Sequence, residues 1–282
     1  MLKKIIEKVC NGTGLIPYLS KFILRKLDKY FDLSPEFLVK TNSMERPNYA
    51  YCLYHSAILA KRLGYHSLSV IEFGVAGGNG LVFLEQFANK IKKYHNVEIE
   101  IYGFDLGSGL TKPKDYKDLN YWFKEGFYKM DQNKLEKRLK YSKLIIGDVK
   151  DTIDNFFEKF NPAPIGAIFH DLDYYYSTIN SFKIFNFNEK FYLPRIFNYF
   201  DDILGTEFEM YNEFSGELLA IEEFNMQNSS KKILLNKNLI TSNNEKWRSQ
   251  IYYFHNFEHN DYNKFIGGTD QELLNKNLSL RK

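Results

Sequence analysis

The chain has 282 residues, with 38 Lys and Arg against 35 Asp and Glu, for a net charge of +3. This length is enough for one large α/β domain or two small ones, with a core that needs no metal or disulfide. A composition of 44% hydrophobic and 26% charged residues is ordinary for a globular protein and argues against disorder of the whole chain. Two cysteines, Cys10 and Cys52, exclude a disulfide framework and indicate a reduced, cytoplasmic protein.

The positive charge is concentrated at the beginning of the chain. Residues 1–30 hold seven basic and two acidic side chains, so the remainder sums to about −2. This balance gives the main body no basic face, and we expect no nucleic-acid partner. Apolar residues at helical spacing predict two short amphipathic helices within residues 1–31. They would pack on the body or on a subunit partner, or make at most a weak contact with a membrane surface.

Further along, the pattern predicts a third helix over residues 48–63 and then changes. Short β-branched and aromatic runs alternate with helical stretches, which is typical of a Rossmann-like, doubly wound α/β sheet whose strands are mostly parallel. The predicted parallel strands are 69–73, 98–104, 144–146, 166–170 and 195–200. Predicted helices are 81–91, 135–139, 152–160 and one that ends near residue 224, and the runs 232–235 and 250–254 predict a C-terminal antiparallel pair.

The segment IEFGVAGGNG, residues 71–80, leads from a predicted strand through glycines into a helix. Glycine permits positive φ and lets a ligand approach the helix N-terminus, so the turn indicates a nucleotide-like ligand; a tight structural turn is the alternative. A P-loop is excluded because Gly-Lys-Ser/Thr is missing. The dinucleotide fingerprint fits badly because Ala76 stands at its second glycine.

Two acidic residues follow the next two predicted strands. Asp105 follows the apolar run 99–104, where a carboxylate can accept both hydroxyl hydrogens of a ribose. Its alternative role is to cap the glycine loop that follows. Asp148 ends the third strand, where it could meet an adenine edge or cap the next helix.

Acidic pairs end two further predicted strands. The sequence His-Asp-Leu-Asp occupies residues 170–173, and Asp201 and Asp202 follow the next strand. If the two strands are neighbours, the carboxylates converge, and a divalent cation is the simplest way to offset their repulsion. Oxygen ligands suit Mg²⁺, Mn²⁺ or Ca²⁺ rather than zinc. Helix caps or salt bridges are the alternative.

Together these residues resemble the class I S-adenosylmethionine-dependent methyltransferases, in particular the metal-dependent sugar O-methyltransferases typified by macrocin O-methyltransferase. The resemblance covers about residues 68–225, and its most specific part is the D-x-D-x-Y-x-S-T segment at 171–178. It implies that the methyl donor, S-adenosylmethionine, lies on a loop that includes Glu72, Gly74, Ala76 and Gly78, with Asp105 at its ribose.

The resemblance also implies roles for the acidic pairs. Asp171, Asp201 and Asp202 would hold the metal, and Asp171 is also a candidate base. His170 is a second candidate base because imidazole titrates near neutral pH. Strand alternation would point it away from Asp171, and a buried, hydrogen-bonded structural histidine is the alternative.

The implied activity is methylation of a hydroxyl on a sugar, a glycan precursor or a glycosylated small molecule. We divide the chain into a helical extension (1–64), a methyltransferase domain (65–267) and a tail (268–282). A glycosyltransferase that holds its metal through Asp171-x-Asp173 and a non-catalytic assembly protein that acts through the extension are the alternatives. The sequence leaves open whether copies of the chain form a homo-oligomer.

Overall fold

The computed structural model describes residues 18–240 and 245–279 of the chain. The α-helices are α1 (Tyr18–Phe31), α2 (Pro35–Lys40), α3 (Pro47–Leu63), α4 (Asn79–His95), α5 (Gln132–Glu136), α6 (Val149–Thr152), α7 (Phe156–Phe160), α8 (Tyr175–Ser181), α9 (Gly216–Gln227) and α10 (Thr269–Ser279). The strands are β1 (Ser67–Phe73), β2 (Glu98–Asp105), β3 (Lys143–Ile146), β4 (Ile165–His170), β5 (Tyr192–Phe200), β6 (Lys231–Leu235) and β7 (Ile251–Asn256).

Within the described ranges these strands form one sheet in the order β3-β2-β1-β4-β5-β7-β6. β1 to β5 run parallel, whereas β7 is antiparallel to both β5 and β6. The predicted fold class, a mostly parallel Rossmann-like sheet with a C-terminal antiparallel pair, is confirmed. The strand order reverses between β1 and β4, and ligands of such sheets bind at that switch point, beyond the carboxyl ends of the strands.

Helices cover both faces of the sheet because successive residues of a strand point to opposite faces. On one face, α3 and α4 pack against Val70, Phe169 and Tyr199. On the other face, aromatic side chains from α7 to α9 surround Phe73 and Phe200. All five of these sheet residues are buried, so each strand end is held between two packed layers.

α3 confirms the third predicted helix, and it ends at Gly64 in the left-handed conformation. Leu53, Ala57 and Ala60 of this helix are fully buried against the sheet. α3 therefore contributes to the core of the sheet, although the sequence placed it in the N-terminal extension. The predicted domain boundaries themselves stay predictions.

α1 confirms the second predicted amphipathic helix, whereas the first, over residues 2–9, lies outside the described residues. Asp28 of α1 accepts a hydrogen bond from Lys90 of α4 at 2.8 Å, which fastens α1 to the body. Among the described helices, none is both long and apolar enough to cross a membrane.

Three helical segments differ from the prediction. The predicted helix 152–160 is two short helices, α6 and α7. α8 was not predicted, because aromatic and hydroxyl side chains give it low helix propensity and no clear period. α10 lies in the segment predicted as a tail.

The sheet register places the ends of four strands at one level. Phe73 pairs with Phe104 on one side and with His170 on the other, and His170 pairs in turn with Phe200. The residues that follow these four positions are therefore neighbours along a single edge: Gly74, Asp105, Asp171 and Asp201.

Candidate functional site

A cavity of about 590 Å³ opens at the carboxyl edge of the sheet. Seven of the residues predicted from the sequence line it: Gly74, Ala76, Asp105, Asp148, Asp171, Asp201 and Asp202. Glu72, Gly78 and His170 are not among the residues that line it. The structure therefore brings all three predicted metal ligands to one cavity, together with the predicted donor-binding residues other than Glu72 and Gly78.

Asp105 holds the glycine turn in shape. One carboxylate oxygen accepts hydrogen bonds from the backbone N–H groups of Val75 (2.8 Å) and Ala76 (2.9 Å), and the other accepts from Gly107 N at 2.6 Å. The predicted capping of the following glycine loop is thus present. Each carboxylate oxygen has two acceptor positions, so the oxygen that bonds Gly107 keeps one for a ligand in the cavity.

Close packing around the turn between β1 and α4 requires glycine at two of its positions. A Cβ atom on Gly74 would lie 1.7 Å from the carbonyl oxygen of Asp171, and one on Gly78 would lie 2.0 Å from a methyl carbon of Leu135. Both glycines have positive φ, and Ala76 between them has φ 44°. Such backbone strain in a non-glycine residue is typical of a functional turn. Gly78 therefore packs against Leu135 and does not line the cavity, whereas Gly74 and Ala76 do.

Glu72 lies below the turn. Its side chain is 2% exposed, and its Oε1 accepts a hydrogen bond from Tyr49 of α3 at 2.6 Å. Gly80 leaves space for this carboxyl group, since a Cβ there would lie 1.8 Å from Oε1. The structure thus places Glu72 in the core beneath the predicted donor loop, and its predicted contact with the donor stays a prediction.

A Glu72→Gln variant should show a pH-dependent gain in stability. Burial raises the pKa of Glu72 to about 7, so folding favours the protonated form. The resulting stability is present below the unfolded pKa of about 4.5 and is lost as pH rises through 7. Gln resembles the neutral form, so the variant should gain about 3 kcal/mol over wild type at pH 8 and nothing at pH 4.

Urea unfolding at pH 4 and pH 8 measures this difference. Glu158→Gln on the exposed side of α7 is the matched control, and it should behave alike at both pH values. An equal effect of Glu72→Gln at the two pH values would show that the buried carboxyl group titrates normally.

Three carboxylates meet at the other end of the cavity. Asp171, Asp201 and Asp202 each present one oxygen, and the three oxygens lie within 4.8 Å of one another. They converge because Asp171 and Asp201 follow paired strand residues, with Asp201 N donating to the carbonyl of His170 at 2.9 Å. Hard oxygen donors at this spacing fit Mg²⁺, Mn²⁺ or Ca²⁺.

The charge of this cluster is not balanced by the protein. Among residues 18–240 and 245–279, no Lys or Arg forms an ion pair with any of the three carboxylates. Burial, followed by the charges of Asp202 and Asp201, raises the pKa of Asp171 well above its usual range. Burial and the charge of Asp201 raise the pKa of Asp202 to about 7. A divalent cation would remove this repulsion, so the donor set fits a metal.

Neighbouring side chains orient the cluster. Tyr211 donates to one oxygen of Asp202 at 3.1 Å, and the backbone N–H of Asp173 donates to the other at 2.9 Å. Tyr199 donates to Asp201, and Glu217 accepts from the backbone N–H of Asp202 at 3.0 Å. These contacts keep the carboxylates turned toward the cavity.

Asp173 belongs to the first acidic pair predicted from the sequence, which gave it a role only in the glycosyltransferase alternative, as a metal ligand. It lines the cavity, its backbone is left-handed with φ 58°, and its side chain is only 6% exposed. Burial and the charges of Asp202 and Asp201 raise its pKa well above the usual range. In the described part of the chain, no protein hydrogen bond reaches its carboxylate. The two-residue spacing from Asp171 was the available signal.

His170 occupies the core, so the structure corrects its assignment as a candidate base. Its ring is fully buried, stacks on Phe200 with 4.3 Å between centroids, and hydrogen-bonds to Asn198 (3.1 Å) and Ser181 (3.4 Å). Burial lowers the pKa of His170 to about 3. The expected strand alternation turns the ring to the face opposite Asp171, away from the cavity.

Asp148 caps the helix that follows it, which is one of the two roles that the sequence left open. Its side chain accepts from the backbone N–H of Lys150 at 3.0 Å, which caps α6. It also lines the cavity, on the side where Gly147 and Val149 provide small and apolar surface. Contact with an adenine edge stays a prediction.

The comparisons with known proteins agree with this geometry. No protein-family model and no curated protein sequence matches the chain. Among solved structures, the calicheamicin methyltransferase CalS11 aligns over 90% of both chains at 15% identity, with a TM-score of 0.51. The O-methyltransferase NovP aligns over 74% of this chain and 79% of its own, at 11% identity and a TM-score of 0.50. The chain has the class I methyltransferase fold.

This fold places the cavity where the sheet order reverses, which is where ligands bind in doubly wound sheets. Identities of this size show the fold alone, and one fold can host several activities. The residues of the cavity therefore determine the activity.

Proposed function

We propose that this protein is an S-adenosylmethionine-dependent O-methyltransferase that methylates a hydroxyl group of a sugar, a glycan precursor or a glycosylated small molecule. One observation carries the proposal: a single cavity joins the Asp105-braced glycine turn to the cluster of Asp171, Asp201 and Asp202. The glycine turn can hold a nucleoside, and the acidic cluster can hold the hydroxyl group that reacts. The similarity in fold to NovP and CalS11 supports methyl transfer as the reaction.

The donor would lie along the glycine turn. Asp105 would accept the ribose hydroxyls, Asp148 would face the adenine, and the turn at Gly74 and Ala76 would leave space for the methionine part. Asp171 follows β4, directly beside Gly74, so this placement brings the sulfonium carbon close to the acidic cluster. Alignment of the two reactants is the main task of the protein in a displacement of this kind.

The acidic cluster would act on the acceptor. Asp171, Asp201 and Asp202 would hold a divalent cation, most simply Mg²⁺, which lowers the pKa of a hydroxyl group and fixes its position when bound. The predicted metal requirement is part of this proposal.

Asp173 is the best-placed base. A carboxylate that ligates a cation is a weak proton acceptor, and this argues against Asp171, the base predicted from the sequence. Asp173 adjoins the cluster, lines the cavity and has a buried carboxylate that is not one of the three converging oxygens. The acceptor oxygen would bond to the methyl carbon as the carbon–sulfur bond breaks, and the hydroxyl proton would pass to Asp173. The products are a methyl ether and S-adenosylhomocysteine.

Replacement of Asp105 should affect donor binding and folding together. Asp105→Ala removes the acceptor for three backbone N–H groups and the group proposed to bind the ribose. We expect affinity for S-adenosylhomocysteine to fall by about 30-fold or more and the unfolding free energy to fall by about 2–3 kcal/mol. Isothermal calorimetry and urea unfolding measure the two effects.

Asp131→Ala is the matched control, because Asp131 caps α5 through the backbone N–H of Lys134 and does not line the cavity. It should cost about 1 kcal/mol of stability and leave the ligand affinity unchanged. Undiminished affinity in a folded Asp105→Ala variant would remove Asp105 from the ribose site.

The direct test of the proposed function is binding of S-adenosylhomocysteine to the purified protein, followed by a search for methylated sugars with isotopically labelled donor. Failure to bind the donor product would contradict the proposal. The small molecule retained by the purified protein, identified by mass spectrometry, would narrow the choice of acceptor. The predicted cytoplasmic location stays a prediction.

A further inference from the structure

The cavity carries opposite charges on two of its walls. The acidic cluster forms one wall, whereas Lys112, Lys114 and Lys150 are among the residues that line the cavity elsewhere. The first two lysines come from a long insertion between β2 and α5, residues 106–131, and Lys150 lies on α6. Ser177 and Asn180 of α8 add polar groups to the same lining. A methyl acceptor that is a neutral sugar would leave these cations without a function.

Lys114 is held in place by its surroundings. Its ammonium lies 4.1 Å from the centre of the Tyr176 ring, and the Tyr176 hydroxyl donates to Asp115 at 2.9 Å. The buried carboxylate of Asp118 accepts from the backbone N–H groups of both Lys114 (3.0 Å) and Tyr176 (3.2 Å). The insertion and α8 are thus joined at this point, which fixes the backbone of Lys114 and places its ammonium group over the Tyr176 ring.

The positive charge of this lining is largely unpaired. Lys150 forms an ion pair with Asp148 at 3.4 Å. Over the described residues, neither Lys112 nor Lys114 forms an ion pair with a carboxylate. S-adenosylmethionine brings one carboxylate, which would lie with its methionine part at the turn of Gly74 and Ala76 and would leave Lys112 and Lys114 to the acceptor. Ammonium groups that line a cavity without partners attract anions, and phosphate groups most strongly among those that sugars carry.

We propose that the acceptor sugar carries a phosphate or diphosphate ester, which Lys112 and Lys114 bind while the sugar hydroxyl lies at the acidic cluster. This inference rests on the proposed function and adds the chemical class of the acceptor. A sugar nucleotide and a lipid-linked sugar diphosphate share this chemistry. In either case the phosphate ester remains intact, because the reaction takes place at a hydroxyl of the sugar.

The test is calorimetric titration of the complex with S-adenosylhomocysteine, in chelator so that no cation bridges the ligand to the acids. The probes are inorganic pyrophosphate, UDP-glucose and neutral methyl glucoside, with a polyprenyl diphosphate sugar in micelles as a fourth. We expect pyrophosphate and UDP-glucose to bind and methyl glucoside to bind at least about tenfold more weakly. Tighter binding of UDP-glucose than of the lipid-linked probe would identify a nucleotide as the source of the phosphate, and the reverse order would identify a lipid.

The double variant Lys112→Gln/Lys114→Gln should weaken binding of both anions by about tenfold or more and leave S-adenosylhomocysteine affinity within about twofold. Lys124→Gln/Lys129→Gln is the matched control: both residues are exposed on the same insertion and neither lines the cavity. It should bind the anions like the wild type. Anion affinity that is absent in the wild type, or equal in the two double variants, would overturn this inference alone. Lack of S-adenosylhomocysteine binding would instead overturn the proposed function.

Discussion

The Asp173→Asn variant is expected to turn over about 10³-fold more slowly than the wild type while it folds and binds the methyl donor normally. Asn keeps the size of the side chain and tolerates the left-handed backbone at position 173, where φ is 58°. It removes the carboxylate proposed to take the proton of the acceptor. Single-turnover methyl transfer and calorimetry with S-adenosylhomocysteine separate the chemical step from binding.

Asp171→Asn provides the comparison that assigns the two roles. Asp171 belongs to the group of three carboxylates whose oxygens lie within 4.8 Å, whereas Asp173 does not. Asp171→Asn should weaken Mn²⁺ binding by about tenfold or more, and Asp173→Asn should leave it within a few-fold of the wild type. Electron paramagnetic resonance titration of Mn²⁺ measures both.

Asp154→Asn, an exposed substitution between α6 and α7, is the control for both variants and should be silent in each assay. Normal turnover of Asp173→Asn would exclude it as the base. Loss of Mn²⁺ binding in Asp173→Asn, with normal binding in Asp171→Asn, would reverse the two assignments.

The Gly74→Ala variant is expected to lose at least about 3 kcal/mol of unfolding free energy. The new Cβ would lie 1.7 Å from the carbonyl oxygen of Asp171, and φ at this position is 82°. Relief requires the ends of β1 and β4 to separate, which would also move the Asp171 carboxylate. Urea unfolding measures the loss, and Mn²⁺ affinity should fall in whatever protein remains folded.

Gly77→Ala is a stringent control because it lies in the same turn. Its Cβ would meet nothing within 4 Å, and its φ is not positive. We expect its stability to stay within about 0.5 kcal/mol of the wild type. Similar losses in the two variants would show that the turn tolerates no side chain anywhere, and that the contact with Asp171 is not the cause.

The strands were predictable because burial on both faces leaves a simple pattern in the sequence. All six residues of β4 are buried, and such a short apolar run between turns is typical of a central parallel strand. The positions of Asp105, Asp171 and Asp201 followed from these strands, since the residue after each strand must lie at the carboxyl edge. The register then brought them together as expected.

The orientation of individual side chains was harder to predict. Glu72 belongs to the motif that resembles a donor loop, yet it shares a strand face with Val70 and so points toward α3, where Tyr49 meets it. The two-residue period of a strand contained this information. The identity of its hydrogen-bond partner could not be predicted, because Tyr49 lies 23 residues away and no local pattern connects the two residues.

Asp105 and Asp173 show a second limit of prediction from the sequence. A carboxylate at the end of β2 can brace the turn or meet a ligand, and both roles require the same position in the sequence, so only the hydrogen bonds to Val75, Ala76 and Gly107 reveal the first. At Asp173 the deciding features are a positive φ and a carboxylate without a protein donor. Neither can be read from residue spacing.

The placement of α3 limits what deletion experiments can reveal. Leu53, Ala57 and Ala60 seal one side of the sheet, and Tyr49 adds a stacked ring on Phe169, 4.2 Å away. A shortened chain that starts after Gly64 would leave this strip of hydrophobic surface open to water, and misfolding or aggregation would follow. Inactivity of such a fragment would therefore say nothing about recognition by the N-terminal helices. Point substitutions on the outward side of α1 are the way to ask that question.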